Sequence, residues 1–356
     1  MVDDSVVVRS VVRSIFDDVT DIELVCTAGH LEEAYAFLAD QSVDIVLLDH
    51  EMPGQKGLDA LPHILKIARD AHVIMLSTHC QRGSKTAVAA LSLGASDALA
   101  KPASGEAGAA FGEQLLCRIR RLASARRHRR AEYAVITQRA LPENFRAECI
   151  GIGASTGGPQ AVRELLSELP VDFSAAVVLI QHMPASFTYL LAEQLNRHVK
   201  FQVREAIPSD RALPGSVLVA PGDLHLEFTS EARIHIHEQP RIDGHRPSID
   251  LAMITAARAY GGQVAGVLLT GMGADGVNGM AAIHEAGGWT FAQDEASCVV
   301  CGMPQRAIAR GVVQHVGTPQ QIGRALSMLS LRPSELLDAE RRGVLGFSQK
   351  MYEHLS

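Results

Sequence analysis

Aromatic side chains are scarce in this chain, 4% of 356 residues with a single tryptophan. Its interior must therefore be filled by aliphatic groups. No apolar stretch reaches the roughly 18 residues that a membrane-spanning helix needs. The N-terminus carries no cationic stretch followed by an apolar one, so no secretory leader is read there. Together these absences predict a cytoplasmic protein with no membrane insertion. Basic residues are not in excess either: 33 Lys and Arg face 40 Asp and Glu, a net charge of −7, which argues against a dedicated nucleic-acid binder. Six cysteines in so long a chain do not make a disulfide framework. Cys298-Val-Val-Cys301 lacks the second pair that a zinc site would want, so reduced, packed thiols are expected.

What is present is a pattern of short aliphatic runs, each ending in a polar residue. Cys149–Ala154 ends in Ser155, Ala175–Gln181 in His182, and Val264–Leu269 in a glycine-rich turn that carries Asp275. Runs of this length and composition, separated by helix-like segments, predict buried parallel strands. In open α/β sheets, sites form beyond the carboxyl ends of the strands. Three strands would thus bring a hydroxyl, an imidazole and a carboxylate to one edge. The length suits two α/β domains, each with its own core.

The first domain, expected over 1–123, alternates strand and helix. Strands are expected at Ile22–Cys26, Val43–Leu48, Val73–Leu76 and within Gly94–Ala100, with helices at Leu31–Ala39, Leu58–Ala68 and Ala87–Leu93. This predicts a doubly wound parallel sheet. Polar residues again fall at strand ends: Asp49, Ser77 and Lys101, with Asp3-Asp4 opening the chain. Gathered carboxylates repel unless a hard cation sits among them, and Mg²⁺ is the usual ion beside a phosphoryl group. A hydroxyl and an ammonium nearby would bind that group's remaining oxygens. Taken singly, an Asp ending a strand is more often a helix cap or turn former.

Jointly, Asp3-Asp4-Ser5, Leu47-Leu48-Asp49-His50-Glu51-Met52-Pro53 with Gly57, Ser77 and Lys101-Pro102 resemble the receiver domain of two-component response regulators. The resemblance implies a flavodoxin-like fold, with Asp49 the phosphorylation site and a histidine kinase the phosphodonor. It also implies a Mg²⁺ site formed by Asp3, Asp4, Asp49 and the Glu51 carbonyl, Ser77 and Lys101 as phosphoryl contacts, and a cis Lys101–Pro102 peptide. Two departures stand out. Only Met1-Val2 precede Asp3 where receivers have a buried central strand, which predicts either an upstream start or a receiver with its first strand missing. Ala98-Leu99 stand where receivers usually carry a switching aromatic.

A helix follows, with Phe111, Leu115, Leu116, Ile119 and Leu122 as its apolar face. It runs into the basic stretch 126–130, read as part of a solvated tether over 124–146.

In the second domain, expected over 147–332, Gly151-Ile-Gly-Ala-Ser155-Thr-Gly157-Gly-Pro159 fails as a dinucleotide fingerprint because its third glycine is displaced. As G-x-S-x-G it fits a nucleophile elbow between strand and helix. A serine hydroxyl needs an imidazole to take its proton, and the imidazole a carboxylate to orient it. His182 is the base candidate. Asp275 is the carboxylate, with Asp294 as fallback. His225, His284 and His315 are expected to be surface or half-buried rings. The order Ser, His, Asp differs from that of α/β-hydrolases.

Gly153–Pro159, Gln181-His182-Met183-Pro184, Arg246-Pro247-Ser248-Ile249-Asp250, Thr270–Gly276 and Gly302-Met303-Pro304 resemble the chemotaxis methylesterase family, the protein-glutamate methylesterases. The resemblance implies a Rossmann-like, mainly parallel sheet and catalysis by Ser155, His182 and Asp275. The Met272 N–H would serve the oxyanion, with Thr156 beside the nucleophile and no cofactor for the esterase chemistry. The implied substrate is the cytoplasmic domain of methyl-accepting chemoreceptors, demethylated at glutamyl esters and deamidated at glutamines. The segment Gly244–Asp250 is expected to line the groove. An unphosphorylated receiver would pack over it. A hydrolase acting on another ester, an inert signalling scaffold and a transcription regulator are the competing classes. The tail over 333–356 has no readable role.

Overall fold

The computed structural model describes residues 1–68, 71–78, 85–101, 108–127 and 145–330. In chain order the first domain contains α1 (Val6–Asp17), α2 (Leu31–Asp40), β1 (Ile45–Asp49), α3 (Gly57–Ile67), β2 (His72–Ser77), α4 (Lys85–Leu93), β3 (Asp97–Ala100) and α5 (Gly108–Arg127). The three strands form a parallel sheet in the order β1-β2-β3. Ser5 caps α1, its hydroxyl accepting the Val8 N–H at 3.3 Å.

The strand expected over Ile22–Cys26 does not form. Its ladder partner would be the central strand before Asp3, and only Val2 stands there. The Val2 N–H donates to the Leu47 carbonyl at 2.8 Å, and the Val2 carbonyl accepts the Asp49 N–H at 2.9 Å. On its other side, Val2 makes a single bridge to Ala28. The terminal ammonium donates to the Cys26 carbonyl at 2.8 Å. Beside this stub, Met1, Ile22–Cys26 and Ser42–Leu47 line a cavity of about 350 Å³. One residue of pairing cannot hold a five-residue edge strand, because the remaining backbone groups have no ladder to join.

The second domain runs β4 (Cys149–Ala154), α6 (Gly158–Ser167), β5 (Ala176–Gln181), α7 (Ala185–His198), β6 (Gln202–Glu205), β7 (Ser216–Val219), β8 (His225–Phe228), β9 (Ile234–His237), α8 (Ile249–Tyr260), β10 (Val264–Leu268), α9 (Val277–Glu285), β11 (Trp289–Gln293), α10 (Gly302–Ala309), β12 (His315–Gly317) and α11 (Pro319–Ser330). Seven parallel strands take the order β12-β11-β10-β4-β5-β7-β6, and β8-β9 is a separate antiparallel hairpin. Ile150, Ile152, Val177 and Leu179 join one buried cluster, while Val178, Ile180, Val264 and Leu268 join another. Both faces are covered, which is why these strands read as unbroken apolar runs rather than alternating ones.

Two features set up the site. The sheet order seats β4 between β5 and β10, so the residues following these three strands are neighbours. The glycines of β4 also let α8 approach closely. A Cβ on Gly153 would stand 2.4 Å from Ile249 Cγ2, so any side chain there would push away the start of α8.

The first domain leans on the second. Its α4 packs against α6 and α7. Val88 of α4 is buried in the same cluster as Leu165 and Leu191, and Val300 of the second domain in the same cluster as Leu99 and Phe111. Residues 128–144 of the expected tether, the tail beyond 330 and Pro102 of the expected cis peptide lie outside the described residues.

Candidate active site

Ser155 follows β4 and turns immediately into α6. Its N–H donates to the Thr270 carbonyl at 3.0 Å, tying the Ser155 turn to the turn after β10. Gly157 permits the bend, with φ of +79°. A Cβ there would also meet Val299 Cγ2 at 2.5 Å. Gln181 Nε2 donates to the Ser155 carbonyl at 2.8 Å. Gly271 lies directly against Ser155: a Cβ on it would come 2.8 Å from Ser155 Cβ.

His182 follows β5, its N–H on the Ala154 carbonyl at 3.0 Å. Its Nε2 lies 2.8 Å from Asp275 Oδ2. Nδ1 is buried and has no hydrogen-bond partner. A neutral ring protonated at Nε2 and anchored by the carboxylate leaves the Nδ1 lone pair open to accept a proton. Ser155 and His182 line one cavity, although no hydrogen bond joins them in this state.

Asp275 sits at the N-terminus of α8. Its Oδ2 also accepts the Ile249 N–H at 2.8 Å, and its Oδ1 accepts the Asp250 N–H at 2.9 Å and the Ser248 hydroxyl at 3.1 Å. Burial raises this carboxyl, but the His182 hydrogen bond and the two amides outweigh it and hold it below the usual carboxylate range. A helix N-terminus favours an anion by dipole and by its free amides. Asp275 is therefore a fixed charge facing the imidazole.

The fallback Asp294 does not reach His182. Its carboxylate accepts the Ser297 N–H at 2.9 Å and the Ser297 hydroxyl at 3.1 Å, closing a local turn. The N–H groups of Met272 and Thr156 have no acceptor among the described residues. Met272 is exposed. The turn that carries it is held from below, because the Gly271 N–H donates to the Val300 carbonyl and the Gly302 and Met303 N–H groups donate to the Gly271 carbonyl, at 2.8–3.0 Å.

His225, expected at or near the surface, is fully buried. Nε2 donates to the Pro240 carbonyl at 3.0 Å, and Nδ1 accepts the Ser248 N–H at 3.3 Å. Both nitrogens are used by backbone, so the ring braces the loop that leads into α8. Burial keeps it below its ordinary pKa, against the opposing pull of the Pro240 hydrogen bond. The sequence assigned no role to Gln293, and read Asp250 only as part of the Arg246–Asp250 motif and the groove-lining segment. Gln293 Oε1 accepts the Thr270 N–H at 2.8 Å. Asp250 accepts from Gly279 N–H and Asn278 Nδ2, docking α8 on α9. A Gln ending an apolar strand and an Asp one turn into a capped helix were the available signals. Cys298 is buried and Cys301 partly so, and neither forms a disulfide.

In the first domain, Asp3, Asp4 and Asp49 present carboxylate oxygens within 4.8 Å of one another. Lys101 Nζ lies 2.6 Å from Asp49 Oδ1 and 2.9 Å from Asp3 Oδ2. Asp49 Oδ2 is buried without a hydrogen-bond partner. Burial, only partly offset by Lys101, pushes Asp49 up to about 6. Hard oxygen donors with an unsatisfied lone pair fit a small divalent cation. The Glu51 carboxylate goes elsewhere, accepting the Ser77 hydroxyl at 2.6 Å. The edge of this domain formed by β3 and α5 meets the second: Ala98, Leu99, Arg118 and Arg121 share a cavity of about 980 Å³ with Ser155 and His182.

A strand-end serine, an imidazole braced by a buried carboxylate and free amides beside the serine define a site of the serine-hydrolase class, here joined to a receiver-like domain. Residues 150–326 match the CheB methylesterase family model, and residues 1–109 the response regulator receiver domain model. The chain is 40% identical over 338 residues to the protein-glutamate methylesterase/protein-glutamine glutaminase 2 of Pseudomonas aeruginosa, covering 93% of this chain and 96% of that one. It is 40% identical over 331 residues to the corresponding Salmonella typhimurium enzyme, covering 91% and 94%. The solved catalytic domain of Thermotoga maritima CheB methylesterase superposes with a TM-score of 0.50 at 35% identity, covering 51% of this chain and 98% of that one. The chain belongs to the CheB methylesterase family and carries a receiver domain. No helix among the described residues is long and apolar enough to cross a membrane.

Proposed function

We propose that the chain hydrolyses glutamyl γ-methyl esters, and deamidates glutamines, on the cytoplasmic domain of methyl-accepting chemoreceptors, under control of phosphorylation at Asp49. The observation that carries this reading is the Asp275–His182 pair set beside Ser155 on three adjacent strand ends. Ser155 Oγ attacks the ester carbonyl carbon while His182 Nδ1 takes its proton. The Met272 N–H, beside Gly271 and Ser155, faces the developing oxyanion, and Thr156 adds its amide. Asp275 stabilises the imidazolium. His182 returns the proton to the departing methoxide, methanol leaves, and water repeats the sequence on the acyl-enzyme. For a glutamine, ammonia takes the place of methanol.

The receiver supplies the control. Asp49 accepts the phosphoryl group from a histidine kinase, and Lys101 neutralises the added charge. Asp3, Asp4 and Asp49 would hold Mg²⁺, whose charge would screen phosphate from the carboxylate when the ion is bound. With Ser155 and His182 facing the receiver across a shared cavity, the unphosphorylated domain obstructs entry of a receptor helix. Phosphorylation shifts the population to an uncovered state. The test is methanol release from methylated receptor fragment by the wild type and by Ser155→Ala, each with and without a small phosphodonor. Release by Ser155→Ala removes the mechanism; a wild-type rate unchanged by the phosphodonor removes the regulation.

A further inference from the structure

We propose that His245 is a positioning residue for the catalytic base, its ring laid flat on that of His182 to fix the direction of Nδ1. The inference rests on reading His182 as the base. The two ring centroids are 4.0 Å apart and the planes 4° from parallel.

His182 needs such a restraint. Among the described residues its only ring hydrogen bond is Nε2 to Asp275 Oδ2, and Nδ1 has no partner. Rotation about the Cβ–Cγ bond of histidine is broad. One anchor on the far side of the ring leaves Nδ1 free to swing across the cleft. A general base has to lie about 3 Å from the proton it takes, and a misplacement of about 1 Å can cost on the order of 10²-fold in rate. A flat wall against one face of the ring removes that freedom without taking up either nitrogen.

His245 is itself well held. Its backbone N–H donates to the Ile242 carbonyl at 2.8 Å, and its carbonyl accepts the Ile242 N–H at 3.0 Å. Asp243 and Gly244 close the turn between them with φ of +47° and +83°, the pattern of a tight hairpin turn. Downstream, Arg246 Nη1 donates to the Glu238 and Gln239 carbonyls, and Ser248 reaches Asp275. The His245 side chain makes no hydrogen bond among the described residues; the stack is its contact. It also faces the oxyanion turn, for a Cβ on Gly273 would lie 4.0 Å from its Nε2.

The charged and titratable groups around His245 are His182, Asp275, Asp243 and Arg241. Burial first, then His182, holds its pKa below the ordinary value, so it stays neutral. A neutral ring can lie on the imidazolium that forms during each turnover. A charged one would repel it.

The test compares full-length wild type, His245→Ala and His245→Phe. The readouts are methanol release from methylated receptor fragment, the labelling rate of Ser155 by a fluorophosphonate, and the pH profile of kcat/KM. Expected for His245→Ala is a kcat lower by about 10–100-fold, a KM within about twofold and equally slowed labelling. Expected for His245→Phe is recovery to within about threefold of wild type, with its pH profile. An unchanged kcat in His245→Ala overturns the proposal. So does equal loss in both variants, which would assign the effect to the imidazole nitrogens or to the fold. If wild type labels but releases no methanol, the substrate reading fails while slowed labelling of His245→Ala still upholds the positioning role.

Discussion

Asp275→Asn is nearly isosteric, yet it should damage both catalysis and folding. Each oxygen of Asp275 accepts from one amide at the start of α8: Oδ2 from Ile249 and Oδ1 from Asp250. An asparagine turned either way therefore points an NH₂ group at a backbone N–H. One buried amide is left without an acceptor, a cost of about 1–3 kcal/mol. Losing the anion from the helix N-terminus adds about 0.3–1 kcal/mol. The expected loss of stability is about 1–4 kcal/mol, read as a lower midpoint in denaturant at unchanged slope. Catalysis should suffer more. The anion that selects the Nε2-protonated ring is gone, and a neutral amide neither fixes that tautomer nor stabilises the imidazolium. A triad that loses its carboxylate in this way drops by about 10³–10⁴ in kcat, roughly 4–5.5 kcal/mol of barrier. The assay is single-turnover methanol release at pH 7, beside equilibrium unfolding. A kcat within tenfold of wild type would refute the reasoning, because Asp275 would then be a helix cap and nothing more.

Further outcomes follow from the receiver and from the turn after β4. Val88→Ala deletes two buried methyl groups between α4 and the second domain, about 1.6 kcal/mol at ~0.8 kcal/mol each; basal methanol release without phosphodonor should rise by up to about tenfold, and an unchanged basal rate would detach that contact from control. Asp49 should titrate near 6 in metal-free protein and lower with Mg²⁺, as followed by carboxyl NMR; a midpoint indifferent to Mg²⁺ would sink the proposed metal site. Because the folded-state value lies above the unfolded one, this group's contribution to stability is present below pH 4 and lost as pH rises through about 6, which acid-to-neutral unfolding curves of Asp49→Asn beside wild type can check. Gly157→Ala, with φ of +79° and Val299 in the way, should lower stability measurably and cut Ser155 labelling; unaltered labelling would show that the turn adapts.

Much of the site was legible because parallel strands buried on both faces leave unbroken aliphatic runs, and their polar ends stand out. Ser155, His182 and Asp275 were found that way. Asp294 looked equivalent by the same signal, and only the sheet order separates the two. Asp275 follows β10, next to β4, whereas Asp294 follows β11, one strand further out. The expected strand at Ile22–Cys26 failed for a similar reason. Its composition suits a strand, but strand formation depends on a neighbour, and a lone Val2 stands there. His225 and His245 gave no periodic signal, since the first opens a four-residue strand and the second lies in a tight turn, both too short to carry one.

The sequence by itself determined the local chemistry: which segments are apolar enough to be buried, where glycines must bend the chain, and which reactive groups stand at strand ends. Those properties reside in single residues and their immediate neighbours. Tertiary structure alone decided which of those groups meet: the place of β4 between β5 and β10, the close seating of α8 against Gly153, the stack of His245 on His182, and the receiver face turned toward Ser155. These depend on contacts between segments far apart along the chain, whose geometry is set by how whole layers pack rather than by any one stretch of residues.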